Sequence, residues 1–84
     1  MGKRFEVLSS NPQTSADRQV RVGEAVGYRM GHFDSLVSAS AFCDAIRMAW
    51  WHRDARIWIV DRGVDSENAR VVVFDSAIAW VRSG

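Results

Sequence analysis

A lone cysteine, Cys43, is all the thiol chemistry this sequence carries, so no intramolecular disulfide can staple the fold. No run of roughly eighteen apolar residues occurs, and Glu6 stands where an N-myristoylation signal needs Ser or Thr, so no membrane anchor is expected. The stretch Met1-Gly2-Lys3-Arg4-Phe5-Glu6 lacks the apolar run of a signal peptide, which together with the single cysteine predicts a cytoplasmic location. Charge of one sign is scarce too: 11 basic against 10 acidic residues leave a net +1, short of the excess typical of nucleic-acid binders. Lysine occurs once, and the remaining basic residues are all arginine. Arginine is the side chain best suited to bidentate contact with phosphate or carboxylate, although a GC-rich genome gives the same bias.

What is present is ordinary for a globular protein. Hydrophobic residues make up 48% and charged residues 25% of 84 positions, which excludes disorder and predicts a single domain over residues 1–84. The fold class read from the pattern is α+β in two layers, in β-β-α-β-β-α order, with an antiparallel sheet. Its elements are a strand over 3–8, a strand over 19–30, a long helix over about 34–52, strands over 57–60 and 71–74, and a short C-terminal helix over about 76–82.

Several local signals support these boundaries. Ser9-Ser10-Asn11-Pro12 has the turn chemistry to end the first strand. From Gln19 to Met30 the even positions are Val20, Val22, Glu24, Val26, Tyr28 and Met30, a period-two pattern broken only beside Gly23. A continuous strand bulged at Gly23-Glu24, or a three-residue loop, keeps the two sets of side chains apart. A two-residue hairpin would put Val22 on the side of Ala25 and mix them, so the continuous strand is preferred. Asp34 is placed to cap the long helix. Facing Arg56 with Asp75 would set Trp58 opposite Val73, Val60 opposite Val71 and Asp61 opposite Arg70, with opposite charges at both ends of the ladder. The tripeptides Phe33-Asp34-Ser35 and Phe74-Asp75-Ser76 are identical and hint at two related strand-to-helix units.

Apolar surface is in excess. One helix stripe, Leu36, Ala39, Phe42, Cys43, Ile46, Ala49 and Trp50, has core spacing; a second, Val37, Ala41, Asp44, Met48 and Trp51, runs on the opposite side. The strands at 57–60 and 71–74 are apolar on both faces. Leaving four such side chains exposed would forgo about 6 to 10 kcal/mol, so a homodimer is expected, with Val37, Ala41, Met48, Trp51 and Trp58 at its interface. The alternative is that the N-terminal strand and short helix cover these faces within one chain.

Candidate chemistry is sparse. Cys43 lies on the core stripe and reads as a small hydrophobe. His32 and His52 are far apart in sequence and gather no metal-ligand spacing, His52 reading as a C-terminal helix cap. Asp61, Asp65, Glu67 and Asn68 miss the calcium-loop pattern, and Gly23, Gly27 and Gly31 form neither a dinucleotide nor a phosphate loop. No catalytic residue, metal or cofactor is assigned. Arg21 and Arg29 fall on one side of the expected strand among small residues, with Arg18, Lys3 and Arg4 nearby, an arrangement in which a β-ribbon could dock on DNA. The favoured reading is therefore a non-enzymatic, homodimeric, regulatory binding protein with nucleic acid as ligand. A protein-interaction module using the Trp51 and Met48 side comes second, and a small enzyme third.

Overall fold

In the computed structural model, residues 4–12, 17–22, 24–49, 54–63 and 71–80 are described. They form an α+β fold in which one antiparallel sheet carries one helix. In chain order the elements are β1 (Phe5–Ser9), β2 (Gln19–Val22), β3 (Ala25–Phe33), α1 (Leu36–Met48), β4 (Ile57–Asp61), β5 (Val71–Asp75) and the two-residue β6 (Ala79–Trp80). Across the sheet the order is β2-β3-β1-β4-β5-β6. β1 and β4 are thus central and covered on both faces: Phe5 to Ser9, including Glu6 and Ser9, and Ile57 to Val60 are all buried. Backbone bonds prolong their ladder at both ends, from Arg62 N–H to the Arg4 carbonyl and from Ser10 N–H to the Arg56 carbonyl.

Side-chain alternation gives each central strand two separate layers. Toward α1 lie Phe5, Val7, Ile57, Ile59 and Phe74, closed by Ala39 and Cys43 of the helix, with Phe33, Phe42 and Ile46 at the rim. The expected core stripe of α1 is therefore the one that packs. On the far side lie Leu8, Val20, Trp58 and Val60, flanked by Val22, Ala25 and Val72. No helix covers this layer among the described residues. Its closure depends on Trp58, whose ring lies across β1 onto Gly27; a Cβ at Gly27 would sit 3.0 Å from Leu8 Cβ and 3.3 Å from the Trp58 ring. Two bulges bend the sheet around this layer, one where Met30 is extra opposite Val7 and Leu8, the other where Val73 is extra opposite Ile59 and Val60.

Five expectations are corrected. Residues 19–30 form a hairpin, not one bulged strand, with Val22 opposite Ala25. The side-chain set consequently switches parity at the turn: Val20, Val22, Ala25 and Gly27 face inward together. The α1 N-cap is Ser35, not Asp34, because the Ser35 hydroxyl accepts the Ser38 N–H at 3.2 Å. The helix stops at Met48, since Ala49 takes extended backbone angles (ψ 134°); the expected continuation through Trp50 to His52 lies outside the described residues.

The β4–β5 register also differs: Trp58 faces Asp75, Ile59 faces Phe74, Val60 faces Val72 and Asp61 faces Val71. Arg56 reaches Asp75 diagonally, so the ion pair that suggested the register forms without fixing it.

The fifth correction concerns the C-terminal helix, whose described part, residues 76–80, is a turn leading into β6. Asp75 accepts the Ala77 N–H on its carboxylate at 3.0 Å and the Ile78 N–H on its carbonyl at 2.9 Å, which turns the chain back on β5.

Candidate interaction surfaces

The five basic residues expected at a nucleic-acid surface are not gathered together. Lys3 lies outside the described residues. Arg4 holds Asp61 in a bidentate pair at 2.7 and 2.8 Å and lies 5.3 Å from the centre of the Phe5 ring, stapling the start of β1 to the end of β4. Arg29 points to Glu6 at 3.4 Å, and Glu6 is wholly buried (0% exposed) in the layer away from the helix. Both arginines thus serve internal carboxylates. Arg21 stands opposite Val26, whereas Arg29 stands opposite Leu8, so the hairpin puts them on opposite faces of the sheet. Only Arg18 and Arg21 remain as exposed arginines of β2 and its approach.

The other acidic centre is also structural. The Asp75 carboxylate takes two hydrogen bonds from the Arg56 guanidinium, one of them at 2.8 Å, while that guanidinium lies 5.3 Å from the Trp58 ring centre. Arg56 holds the Asp75 carboxyl below the usual carboxylate range, aided by the Ala77 N–H. Asp61 is lowered likewise, first by Arg4 and then by the Gly63 N–H, which bonds it at 2.8 Å where Gly63 adopts a φ of 68° to leave β4. Carboxylates held this way are fixed anions. Burial pushes the Cys43 thiol up to about 11, consistent with a core side chain and not a nucleophile. Among the described residues, no three His, Cys, Asp or Glu side chains come together as a metal site.

Of the residues expected at a dimer interface, Trp58 is 2% exposed and sits in the core of the single chain, so it is not a surface residue. The two-sided β4 does not itself require outside cover. Trp51 lies outside the described residues. Val37, Ala41 and Met48 do form an open line along α1, Val37 at 80% and Met48 at 88% exposure, about 16 Å apart along the axis. Asp44 is the polar member of that line. No helix among the described residues is long and apolar enough to cross a membrane.

A further surface escaped the sequence reading: the outer edge of β2, with which no described strand pairs. Gln19 and Arg21 on it are exposed. Its only signal was the Gly23-Glu24 break, which marks a hairpin and so makes Gln19–Val22 an edge. Comparison of the chain with protein-family models, with curated proteins and with solved structures finds no match.

Proposed function

We propose that the chain is a non-enzymatic binding domain that works as a homodimer and presents the outer face of α1 to another protein. The observation that carries the protein-binding reading is the exposed line Val37, Ala41 and Met48. It is backed by a helix whose opposite side is already closed by Ala39 and Cys43, so the exposed apolar line has no intramolecular duty. The acidic groups support a binding role over catalysis, since Asp61 and Asp75 are engaged by arginines that keep them ionised. A nucleic-acid ligand is the weaker reading. Arg21 on β2 and Arg18 just before it fall well below the roughly six to ten phosphate contacts of a strongly salt-dependent binder.

The test compares the tagged protein with its Val37→Asp/Met48→Asp variant, by sedimentation at micromolar concentration and by recovery of a co-purifying protein. Both forms should sediment at twice 9.5 kDa, and only the parent should retain a partner. A 9.5 kDa species throughout overturns the homodimer; equal recovery by both forms overturns the assignment of the α1 face.

A further inference from the structure

The open edge of β2 is unusually simple. The Arg29 N–H bonds the Arg18 carbonyl at 2.9 Å, and in an antiparallel ladder the hydrogen-bonded pairs alternate from there. Arg18, Val20 and Val22 therefore turn their backbone groups toward β3, while Gln19 and Arg21 turn their N–H and C=O groups outward. From Arg18 to Val22 no Pro or Gly interrupts the edge, and its two charges, Arg18 and Arg21, are what any pairing there must accommodate. The side chain of Val20 is anchored in the layer with Leu8 and Trp58, which fixes which way the strand faces.

We infer that this edge is where two copies of the chain join, β2 against β2, into one continuous antiparallel sheet. The strand is self-complementary in one register. With the two-fold axis through Val20, Gln19 of each copy faces Arg21 of the other, and the outward groups of both residues pair. Gln19 donates its side-chain N–H to the Tyr28 hydroxyl at 3.3 Å, which leaves its amide oxygen as an acceptor for the second copy's guanidinium. An axis through Arg21 would oppose two arginines directly. An axis through Gln19 would require Asp17, which lies on a bend before β2, to extend as strand. Edge pairing of this kind has its axis perpendicular to the sheet, so both α1 helices lie on the same side and the dimer displays two copies of the Val37–Met48 line in one direction. The two Arg21 side chains stand diagonally, roughly 7 to 8 Å apart, a like-charge cost that can be tuned.

This inference rests on the homodimer reading, and one set of variants separates their failures. Gln19 and Arg21 are exposed, so Gln19→Glu, Gln19→Arg, Met48→Glu and the double variant Gln19→Arg/Arg21→Glu should all keep the fold, checked by circular dichroism. Sedimentation should show Gln19→Glu tightening the dimer and Gln19→Arg loosening it, each about 2- to 20-fold in Kd across two symmetric pairs. The double variant, which recreates two opposite-charge pairs with the signs exchanged, should bind as tightly as Gln19→Glu, and Met48→Glu should leave the parent value unchanged. A dimer indifferent to residue 19, loosened by both of its substitutions, or lost with Met48→Glu, overturns the edge while the homodimer stands. A chain that stays monomeric even as Gln19→Glu overturns both.

Discussion

The tripeptide Phe-Asp-Ser occurs twice and does two different things. At Phe33-Asp34-Ser35 the strand β3 ends and a helix begins; at Phe74-Asp75-Ser76 the strand β5 ends and the chain turns back as β6. Both phenylalanines pack into the layer under α1, so burial does not separate the two cases. What differs is the neighbour across the sheet. Asp34 is exposed and leaves capping to Ser35, whose hydroxyl serves the Ser38 N–H. Asp75 is buried beside Trp58 and Arg56, and its carboxylate is committed to the guanidinium and to the Ala77 N–H. Ser76 is committed as well: its hydroxyl accepts the Ile57 N–H and its own N–H bonds the Ile57 carbonyl, both at 2.9 Å. A helix-starting sequence is overruled when a partner on the adjacent strand claims the same atoms first.

Three substitution experiments sharpen that contrast. The largest difference should come from the aspartates. Asp75→Ala removes bonds from Arg56 and Ala77 and should cost about 3 kcal/mol of unfolding free energy, against roughly 0.5 kcal/mol or less for exposed Asp34→Ala, read from urea midpoints. The serines should follow at smaller scale. Ser76→Ala leaves a partly buried Ile57 N–H without its acceptor and should cost about 1 to 3 kcal/mol, whereas Ser35→Ala removes a helix cap worth about 0.5 to 2 kcal/mol. Equal losses at the two serines would show that both act as simple caps.

Acid should have the smallest effect, because Arg4 and Arg56 remain partly in water and the pairs are screened. Asp61 and Asp75 have lowered pKa values in the fold. Their contribution is complete above the unfolded carboxyl value near about 3.9 and is lost as pH falls below it toward the folded values. Urea midpoints measured from neutral to acid pH should therefore decline in that window, and Asp75→Asn should decline less steeply.

Much of the architecture was legible from residue pattern. The strands read over 57–60 and 71–74 followed from their apolar runs, the first strand, read over 3–8 and found at 5–9, from the turn residues that end it, and the α1 core side from the spacing of Ala39 and Cys43. The hairpin at 23–24 was not, for a reason visible at Gly27. Gly27 is small because the Trp58 ring, arriving from β4, occupies the volume above it, and its inward neighbour Ala25 packs on the same layer. Val26 and Tyr28, the larger side chains, point the other way, so hydropathy alone assigned the faces backwards. The same ring explains why the apolar second face of β4 did not need a partner subunit: one long-range contact supplies cover that no local window contains. The internal partners of the arginines were hidden in a similar way. Arg4 and Arg29 pair with Asp61 and Glu6, which lie far from them in sequence and which no local window brings to them.

The central position of β1 has a consequence for how the chain reaches this state. The β2–β3 and β4–β5 pairings each join neighbours in sequence, but β1 is held by β3 on one side and β4 on the other, and its Arg4 reaches Asp61 across 57 positions. The β2–β3 and β4–β5 hairpins join into one sheet only through β1, which closes an edge of each. Closing so long a loop is an entropic bottleneck, which places this small domain among slow folders for its length. It also makes the interval before β1 docks the time of greatest exposure to wrong pairing with other chains.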